Sequence, residues 1–238
     1  MKSIAQYGYN ERLFSGGFRG KLHLARFEWM NRCLRRYNIG YETVLELGCF
    51  DGKLIDFLPH SPKRYLGLDA DWEGGLGIAQ TKWANHPEYQ FRFCSTPEQM
   101  QVTDGPYDLA VAMETMEHIP PHLVDGYLAE LARCTRSHLF LTVPNEKGAL
   151  FVAKWAIKRA MSSDYHPYTK REFMAAALGQ MHKVERDNHK GFDYMALARQ
   201  VGKYFDVVEV SGHPLGSVTP RSLCFGVGIL AKARKSAV

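Results

Sequence analysis

The chain has 238 residues, 45% of them hydrophobic and 23% charged, so it is long enough to bury one large core. This composition excludes a disordered chain, a collagen-like chain and a disulfide miniprotein. No apolar run reaches the roughly 18 residues that a membrane span needs, and the first residues lack the apolar stretch of a signal peptide. We therefore expect a cytoplasmic protein.

The net charge of +5 and the isoelectric point near 8.9 suit an anionic partner, but the basic residues are dispersed along the chain. Dispersed charge, with no appended binding module, disfavours nucleic acid as the main partner. The five cysteines show no C-x-x-C spacing, which disfavours a zinc site or a redox pair and predicts buried free thiols. No pattern in the sequence indicates an oligomeric state.

Short apolar runs alternate with helical segments through most of the chain. A helix is predicted over residues 21–37, ahead of the first run. Five strands are predicted over residues 43–50, 64–71, 89–95, 107–114 and 138–145. Helices are predicted between them over residues 53–59, 75–85 and 120–134. This alternation predicts an α/β fold with a parallel sheet and helices on both faces.

The last third of the chain follows a different pattern. Residues 150–200 predict two or three helices, one of them begun by a capping box from Thr169 to Glu172. Two further strands are predicted over residues 205–212 and 223–233, with a Gly/Pro loop and no helix between them. A connection without a helix favours an antiparallel hairpin, so the sheet should be mixed at one edge.

The most informative segment is the turn after the first strand. Gly48 and Gly52 there allow a ligand to approach the backbone closely, and Asp69 ends the second strand where a carboxylate can accept hydrogen bonds from ribose hydroxyls. Phe50 takes the place of a second glycine and leaves little room for a pyrophosphate. Glu46 adds negative charge that favours a cationic ligand. The turn therefore predicts a nucleoside-bearing, cationic ligand.

This segment resembles the first motif, E-x-G-x-G-x-G, of the class I S-adenosylmethionine-dependent methyltransferases, with Phe50 at the middle glycine. The resemblance continues in order through YLGLDAD, CSTPEQ, YDLAVAMETMEHIP and FLTVPNE, from about residue 43 to 146. It implies a Rossmann-like sheet of seven strands whose sixth and seventh strands form the terminal hairpin. It also implies S-adenosyl-L-methionine as the cofactor.

Cofactor-binding residues follow from the same resemblance. Asp69 matches the ribose-binding acid, and Ser95 and Thr96 match the segment near the adenine. The complete set implied is Glu46, Gly48, Cys49, Phe50, Gly52, Asp69, Ala70, Ser95, Thr96, Met113 and Glu114.

A second cluster, Glu114, Glu117 and His118, follows the fourth strand. If a helical turn begins there, all three side chains point the same way. His118 can then act as a general base, or the three side chains can hold a divalent cation such as Mg²⁺ or Mn²⁺. The third alternative is that Glu117 and His118 only stabilise the turn. The E-x-x-E-H spelling resembles that of ubiquinone-pathway O-methyltransferases and small-RNA 3′-terminal 2′-O-methyltransferases, where a metal role is known.

His166 precedes the capped helix, where a histidine of this family often faces the substrate; a surface loop is the alternative. We expect one domain, residues 1–238. It divides into a lid (1–40), a cofactor-binding core (41–146), a substrate cap (147–200) and the strand hairpin (201–238). The lid candidates are Tyr7, Tyr9, Arg12 and Phe18, with Arg12, Arg19 or Arg26 to meet a carboxylate.

Two segments of the cap have weaker signals. Residues 150–161 mix apolar and basic residues, which suits an amphipathic helix packed on the sheet, part of the cap, or peripheral contact with a membrane. Residues 182–190 show no metal-ligand spacing and are interpreted as an exposed loop.

The resemblance implies methyl transfer from S-adenosylmethionine to a small-molecule acceptor. The preferred acceptor is a hydroxyl, on a sugar, a quinone precursor or a secondary metabolite. The alternatives are an RNA 2′-O-methyltransferase, a non-catalytic nucleoside-binding protein of the same fold, and a nicotinamide-dependent dehydrogenase. The missing G-x-G-x-x-G argues against the last.

Overall fold

A computed structural model describes residues 17–161, 168–187, 189–214 and 221–234. Their centre is a sheet of seven strands in the order β3-β2-β1-β4-β5-β7-β6. The strands are β1 Thr43–Leu47, β2 Arg64–Asp69, β3 Tyr89–Phe93, β4 Tyr107–Met113, β5 Thr135–Pro144, β6 Phe205–His213 and β7 Gly226–Ala233.

Helices cover the sheet on both faces. They are α1 Gly17–Arg36, α2 Gly75–Lys82, α3 Pro121–Cys134, α4 Gly148–Met161, α5 Lys170–Ala177 and α6 Tyr194–Tyr204. Single turns of 3₁₀ helix lie at Lys53–Phe57, Pro97–Gln99, Met181–Lys183 and Arg221–Leu223. The segment 53–59, predicted as a short helix, is thus a 3₁₀ turn.

The direction of the strands confirms the predicted mixed sheet. β1 to β5 run parallel to one another, and β7 is antiparallel to both β5 and β6. β7 therefore lies inside the sheet, between β5 and β6, and its register pairs Leu230 with Phe140. The order of β1 to β5 leaves a topological switch point between β1 and β4, where ligands of open α/β sheets bind.

Alternate residues of each strand enter two separate core layers. Leu45 of β1 packs in the layer that includes Leu128 of α3 and Leu197 of α6. Val44, one residue earlier, packs in the layer that includes Trp29 of α1. Because both faces are covered, the central strands are apolar throughout instead of alternating, as the sequence pattern indicated.

Two smaller predictions are also confirmed. The side-chain oxygen of Thr169 accepts a hydrogen bond from the Glu172 amide, and Glu172 returns one to the Thr169 amide at 2.8 Å, which completes the capping box of α5. All five cysteines are free and buried. Among the described residues, no helix is long and apolar enough to cross a membrane.

Candidate functional site

A cavity of about 360 Å³ opens at the carboxyl ends of β1, β2 and β4. Its walls come from the loops after these strands, from α1 through Arg26 and Phe27, and from α3 through Tyr127. This is the switch point that the strand order creates, so the sheet topology itself positions the cavity.

The loop after β1 is built from left-handed backbone conformations. Gly48 has a φ of +77° and Gly52 a φ of +70°, and a Cβ atom at Gly48 would clash with the side chain of Thr115. Phe50 also has a positive φ, +45°, in the region that favours glycine. Its ring packs against Gly75, where a Cβ atom would clash with it. The chain thus keeps the bend of a glycine-rich turn while turning a large side chain onto α2.

Asp69 joins the ends of β1 and β2. Its Oδ2 accepts a hydrogen bond from the Phe50 amide at 2.8 Å, and its Oδ1 accepts one from the Asp71 amide at 2.7 Å. A carboxylate held by two backbone amides has a fixed orientation, and its remaining lone pairs face the cavity that it lines.

Glu46 is a buried acid in the cavity wall. It accepts a short hydrogen bond from the hydroxyl of Tyr65. Burial raises the pKa of Glu46 to about 8, against the lowering effects of Tyr65 and the positive charge of Arg26. At neutral pH this acid is therefore poised to lose its proton when a cation arrives.

Glu114 and His118 form the opposite wall, after β4. Glu114 has a φ of +54°, its amide donates to the Thr142 carbonyl at 2.8 Å, and burial raises its pKa. Burial and the charge of Arg186 lower the pKa of His118, so its ring is neutral at physiological pH. A neutral imidazole beside the cavity can accept a proton.

Behind this wall lies a group of three side chains that can hold a metal ion. One ligand atom from each of Glu117, His118 and His189 lies within 4.8 Å of the others. The rings of His118 and His189 meet edge to face, with centroids 4.6 Å apart. Arg186, from the same loop as His189, donates to the Glu117 carbonyl at 2.7 Å and fixes the loop against the turn.

Two expectations about this region are corrected. Residues 114–120 form a non-helical turn, because Glu114 takes a left-handed conformation, so Glu114, Glu117 and His118 do not share a helical face. The segment 182–190 was interpreted as a loop without ligand spacing, yet it brings His189 to His118. His189 itself is exposed, as expected for that loop.

The structure brings most of the sequence-predicted site residues to one cavity. Those that line it are Glu46, Gly48, Cys49, Phe50, Asp69, Ala70, Ser95, Met113, Glu114 and His118. Gly52 does not line it; a Cβ atom there would lie 2.8 Å from the Trp83 ring nitrogen, so its glycine serves the turn. Thr96 also lies outside the lining, before a 3₁₀ turn.

Among the lid candidates, Arg26 lines the cavity, whereas the side chains of Phe18 and Arg19 lie outside the described part of the chain. So do His166 and residues 1–16. Several lining residues were not predicted from the sequence: Phe27, Lys53, Trp72, Glu73 and Tyr127. Trp72 had a signal, since it follows Asp69 and Ala70 on the loop after β2.

Comparisons with known proteins agree with this geometry. Residues 44–138 match the sequence model described as "Methyltransferase domain". A magnesium protoporphyrin IX methyltransferase from Synechocystis PCC 6803, with bound SAH, superposes with a TM-score of 0.60 at 16% identity, covering 94% of this chain and 92% of that one. Residues 44–138 thus match a methyltransferase domain, and the chain shares the fold of class I S-adenosylmethionine-dependent methyltransferases. The domain match favours methyl transfer over the nicotinamide-dependent dehydrogenase considered from the sequence.

Further known methyltransferases are similar to this chain in fold or in part of the sequence. An S-adenosylmethionine-dependent methyltransferase from Clostridium acetobutylicum superposes with a TM-score of 0.65 at 9% identity, over 95% of this chain and 96% of that one. The ubiquinone biosynthesis O-methyltransferase of Aromatoleum aromaticum is 26% identical over 150 residues, 61% of this chain and 62% of that protein. The same-named protein of Acinetobacter baumannii is 24% identical over 164 residues, 63% of this chain and 66% of that protein. The match thus spans less than two thirds of these relatives' length.

Proposed function

We propose that this chain transfers a methyl group from S-adenosylmethionine to a hydroxyl group of a small molecule. The observation that carries the proposal is one cavity that Glu46, Asp69 and the neutral ring of His118 all line. The methyltransferase-domain match supports the cofactor. The hydroxyl acceptor is supported by the O-methyltransferase relatives and by a side chain positioned to take a proton.

Bound S-adenosylmethionine supplies an electrophilic methyl carbon on a positively charged sulfur. Asp69 would hold the ribose hydroxyls, and Glu46 would lose its proton and balance the positive charge. An imidazole nitrogen of His118 would accept the proton that the acceptor hydroxyl loses as its oxygen displaces the sulfur in line. The protein therefore contributes alignment, charge balance and one proton acceptor.

The Glu117, His118 and His189 group fits a divalent cation. Both carboxylate oxygens of Glu117 are buried without a hydrogen-bond partner, and burial together with the charge of Glu114 raises its pKa. A carboxylate with two imidazoles suits Mn²⁺ better than a purely oxygen-liganded ion such as Mg²⁺. As the alternative to proton transfer to His118, a bound cation would lower the pKa of a coordinated hydroxyl and would neutralise the buried charge of Glu117.

The cofactor end of the proposal is tested by calorimetry with S-adenosylmethionine and S-adenosylhomocysteine. We expect both to bind, and Asp69→Ala to weaken both at least about tenfold, since it removes a charged hydrogen-bond acceptor. Asp206→Ala is the matched control, because Asp206 is an exposed carboxylate on β6 paired with Arg234. If the unaltered chain binds neither compound, the proposal fails.

The acceptor end is tested by following S-adenosylhomocysteine release with pooled phenols, catechols and sugars, with and without a chelator. We expect His118→Ala to lower kcat by about 10²–10⁴-fold while cofactor affinity changes little. His138→Ala, a half-buried histidine at the other end of the sheet, should leave both values unchanged. An equal loss of turnover and cofactor affinity in His118→Ala would contradict its role as proton acceptor.

A further inference from the structure

The excess positive charge of the chain is concentrated in one segment. Residues 147–190, here named the basic cap, contain nine Lys and Arg and four Asp and Glu, an excess of five. The net charge of the whole chain is also +5, so the remaining residues are balanced. Basic residues are dispersed along the chain, but their excess over acidic residues is confined to this segment.

The described part of the basic cap has a small core of its own. Phe151 of α4 and Ala176 of α5 are fully or nearly fully buried in it. The rings of Trp155 and Phe173 pack across the two helices with centroids 4.7 Å apart. The cap is therefore held by one face of α4, which leaves the other face to solvent.

That outer face of α4 is apolar along its whole length. Six of the seven described residues that are exposed on α4 are apolar and recur at spacings of three and one, which place them on one side of a helix: Ala149, Val152, Ala153, Ala156, Ile157 and Ala160. The seventh is Lys158. Ile157 is 61% exposed, and α5 adds Met174 at 56% and Leu178 at 67%. An exposed apolar helix face flanked by basic residues is unusual for a surface that meets only water.

We propose that the basic cap docks on the surface of an anionic lipid bilayer through the outer face of α4. A helix with an apolar face and a basic surround lies in the plane of the headgroups, with its apolar side chains in the acyl boundary. Each Lys or Arg near an anionic leaflet adds about 1 kcal/mol of attraction. The apolar side chains and the basic residues that would make these two contributions lie in the same segment of this chain.

Two other partners for the outer face of α4, a second copy of the chain and a nucleic acid, fit it less well. A second copy of the chain would bring two caps of excess positive charge together, because a two-fold interface pairs the same surface with itself. A single-stranded nucleic acid needs exposed aromatic rings to stack on, but on α4 Phe151 is buried and Trp155 is partly buried. An anionic bilayer is the partner that uses the charge and the apolar face together.

Docking in this way places the carboxyl end of β5 near the lipid, because Lys154 of α4 donates to the carbonyl of Asn145 at 2.9 Å, just after that strand ends. The docking itself does not depend on the proposed methyl transfer and is tested without it.

The test is co-sedimentation of the full chain with phosphatidylcholine vesicles, with and without phosphatidylglycerol. We expect binding to the anionic vesicles only, and weaker binding as salt rises. Ile157→Glu should lower the bound fraction about tenfold, because it loses an apolar anchor and adds a repelled charge. Val208→Glu is the matched control, since Val208 is 41% exposed on β6.

A second variant separates the charge from the apolar face. Lys170→Glu combined with Arg171→Glu reverses two exposed charges of the cap and should also weaken binding to anionic vesicles. Unfolding curves of all variants must match the unaltered chain. Absence of sedimentation with anionic vesicles, or equal binding by Ile157→Glu, overturns the proposal. So does a concentration-dependent dimer abolished by Ile157→Glu, or retention on RNA instead of lipid.

Discussion

The backbone amide of Phe50 donates a 2.8 Å hydrogen bond to the carboxylate of Asp69, while Phe50 itself holds a φ of +45°. The acid at the end of β2 thus fixes the loop that follows β1 in a conformation that favours glycine. This contact couples Asp69, which is expected to hold the ribose, to Phe50 at the middle glycine position of the motif.

The strain at Phe50 can be measured. We expect Phe50→Gly to be more stable than Phe50→Ala by about 1 kcal/mol, because only alanine keeps the cost of a positive φ. At Phe57, which does not have a positive φ, the order should reverse, since glycine there adds only chain entropy. Urea denaturation of the four variants decides the matter. The same order at both positions would contradict the strained conformation.

Close packing between the loops after β1 and β4 predicts a specific coupling. A Cβ atom at Gly48 would meet the side chain of Thr115. Gly48→Ala should therefore cost about 2–4 kcal/mol of unfolding free energy, part of it backbone strain and part of it the clash. Adding Thr115→Ala should recover at least about 1 kcal/mol, as measured in a double-mutant cycle. If the changes in unfolding free energy of Gly48→Ala and Thr115→Ala simply add, the two loops are not in close contact at these residues.

The raised pKa of Glu46, about 8, predicts proton release on cofactor binding. At pH 7 the acid is mostly protonated, and a sulfonium favours its ionised form. The affinity for S-adenosylmethionine should rise with pH up to about 8, and that for the uncharged thioether S-adenosylhomocysteine should rise less. Calorimetry in two buffers of different ionisation enthalpy counts the protons.

Glu46→Gln should make the affinities for S-adenosylmethionine and S-adenosylhomocysteine depend on pH to the same extent. Glu42→Gln is the control, because Glu42 is exposed and paired with Lys63. A pH dependence that survives in Glu46→Gln would assign the proton to another group.

Glu117 predicts an unusual dependence of stability on pH in the metal-free protein. Its folded pKa is raised well above 4.5 by burial, so its favourable contribution is complete below pH 4.5 and is lost as the pH rises and the unfolded chain ionises. With chelator at pH 8, Glu117→Gln should therefore be more stable than the unaltered chain, by roughly 1–2 kcal/mol. Thermal unfolding at pH 5 and pH 8 measures the effect.

Adding Mn²⁺ should raise the melting temperature of the unaltered chain and leave Glu117→Gln unchanged. Glu185→Gln, an exposed acid of the neighbouring loop, should respond as the unaltered chain does. A Mn²⁺ response shared by Glu117→Gln would place the ion elsewhere.

The fold was predictable because its signals are local and periodic. The apolar run of β1, the acid after β2 and the pairing of β6 with β7 each follow from a short stretch of sequence. Gly48 and Asp69 could be assigned to one site for the same reason: parallel strands bring their carboxyl ends to one edge.

The remaining features depend on the path of the chain in space. The left-handed conformation of Glu114 follows from no residue preference, yet it prevents the three residues from sharing a helical face, and Glu117 meets His189 of a different loop. His189 reaches His118 because Arg186 secures its loop to the Glu117 carbonyl. No spacing in the sequence encodes a contact between segments so distant along the chain.

The position of β7 between β5 and β6 has a consequence for synthesis on the ribosome. β7 follows β6 in the chain, but it is the strand that joins β6 to the parallel part of the sheet. Until residue 233 has emerged, the open edge of β5, with its apolar residues, stays available to the nascent chain of another copy or to a chaperone. Translation must pass the end of β7 before the sheet can close.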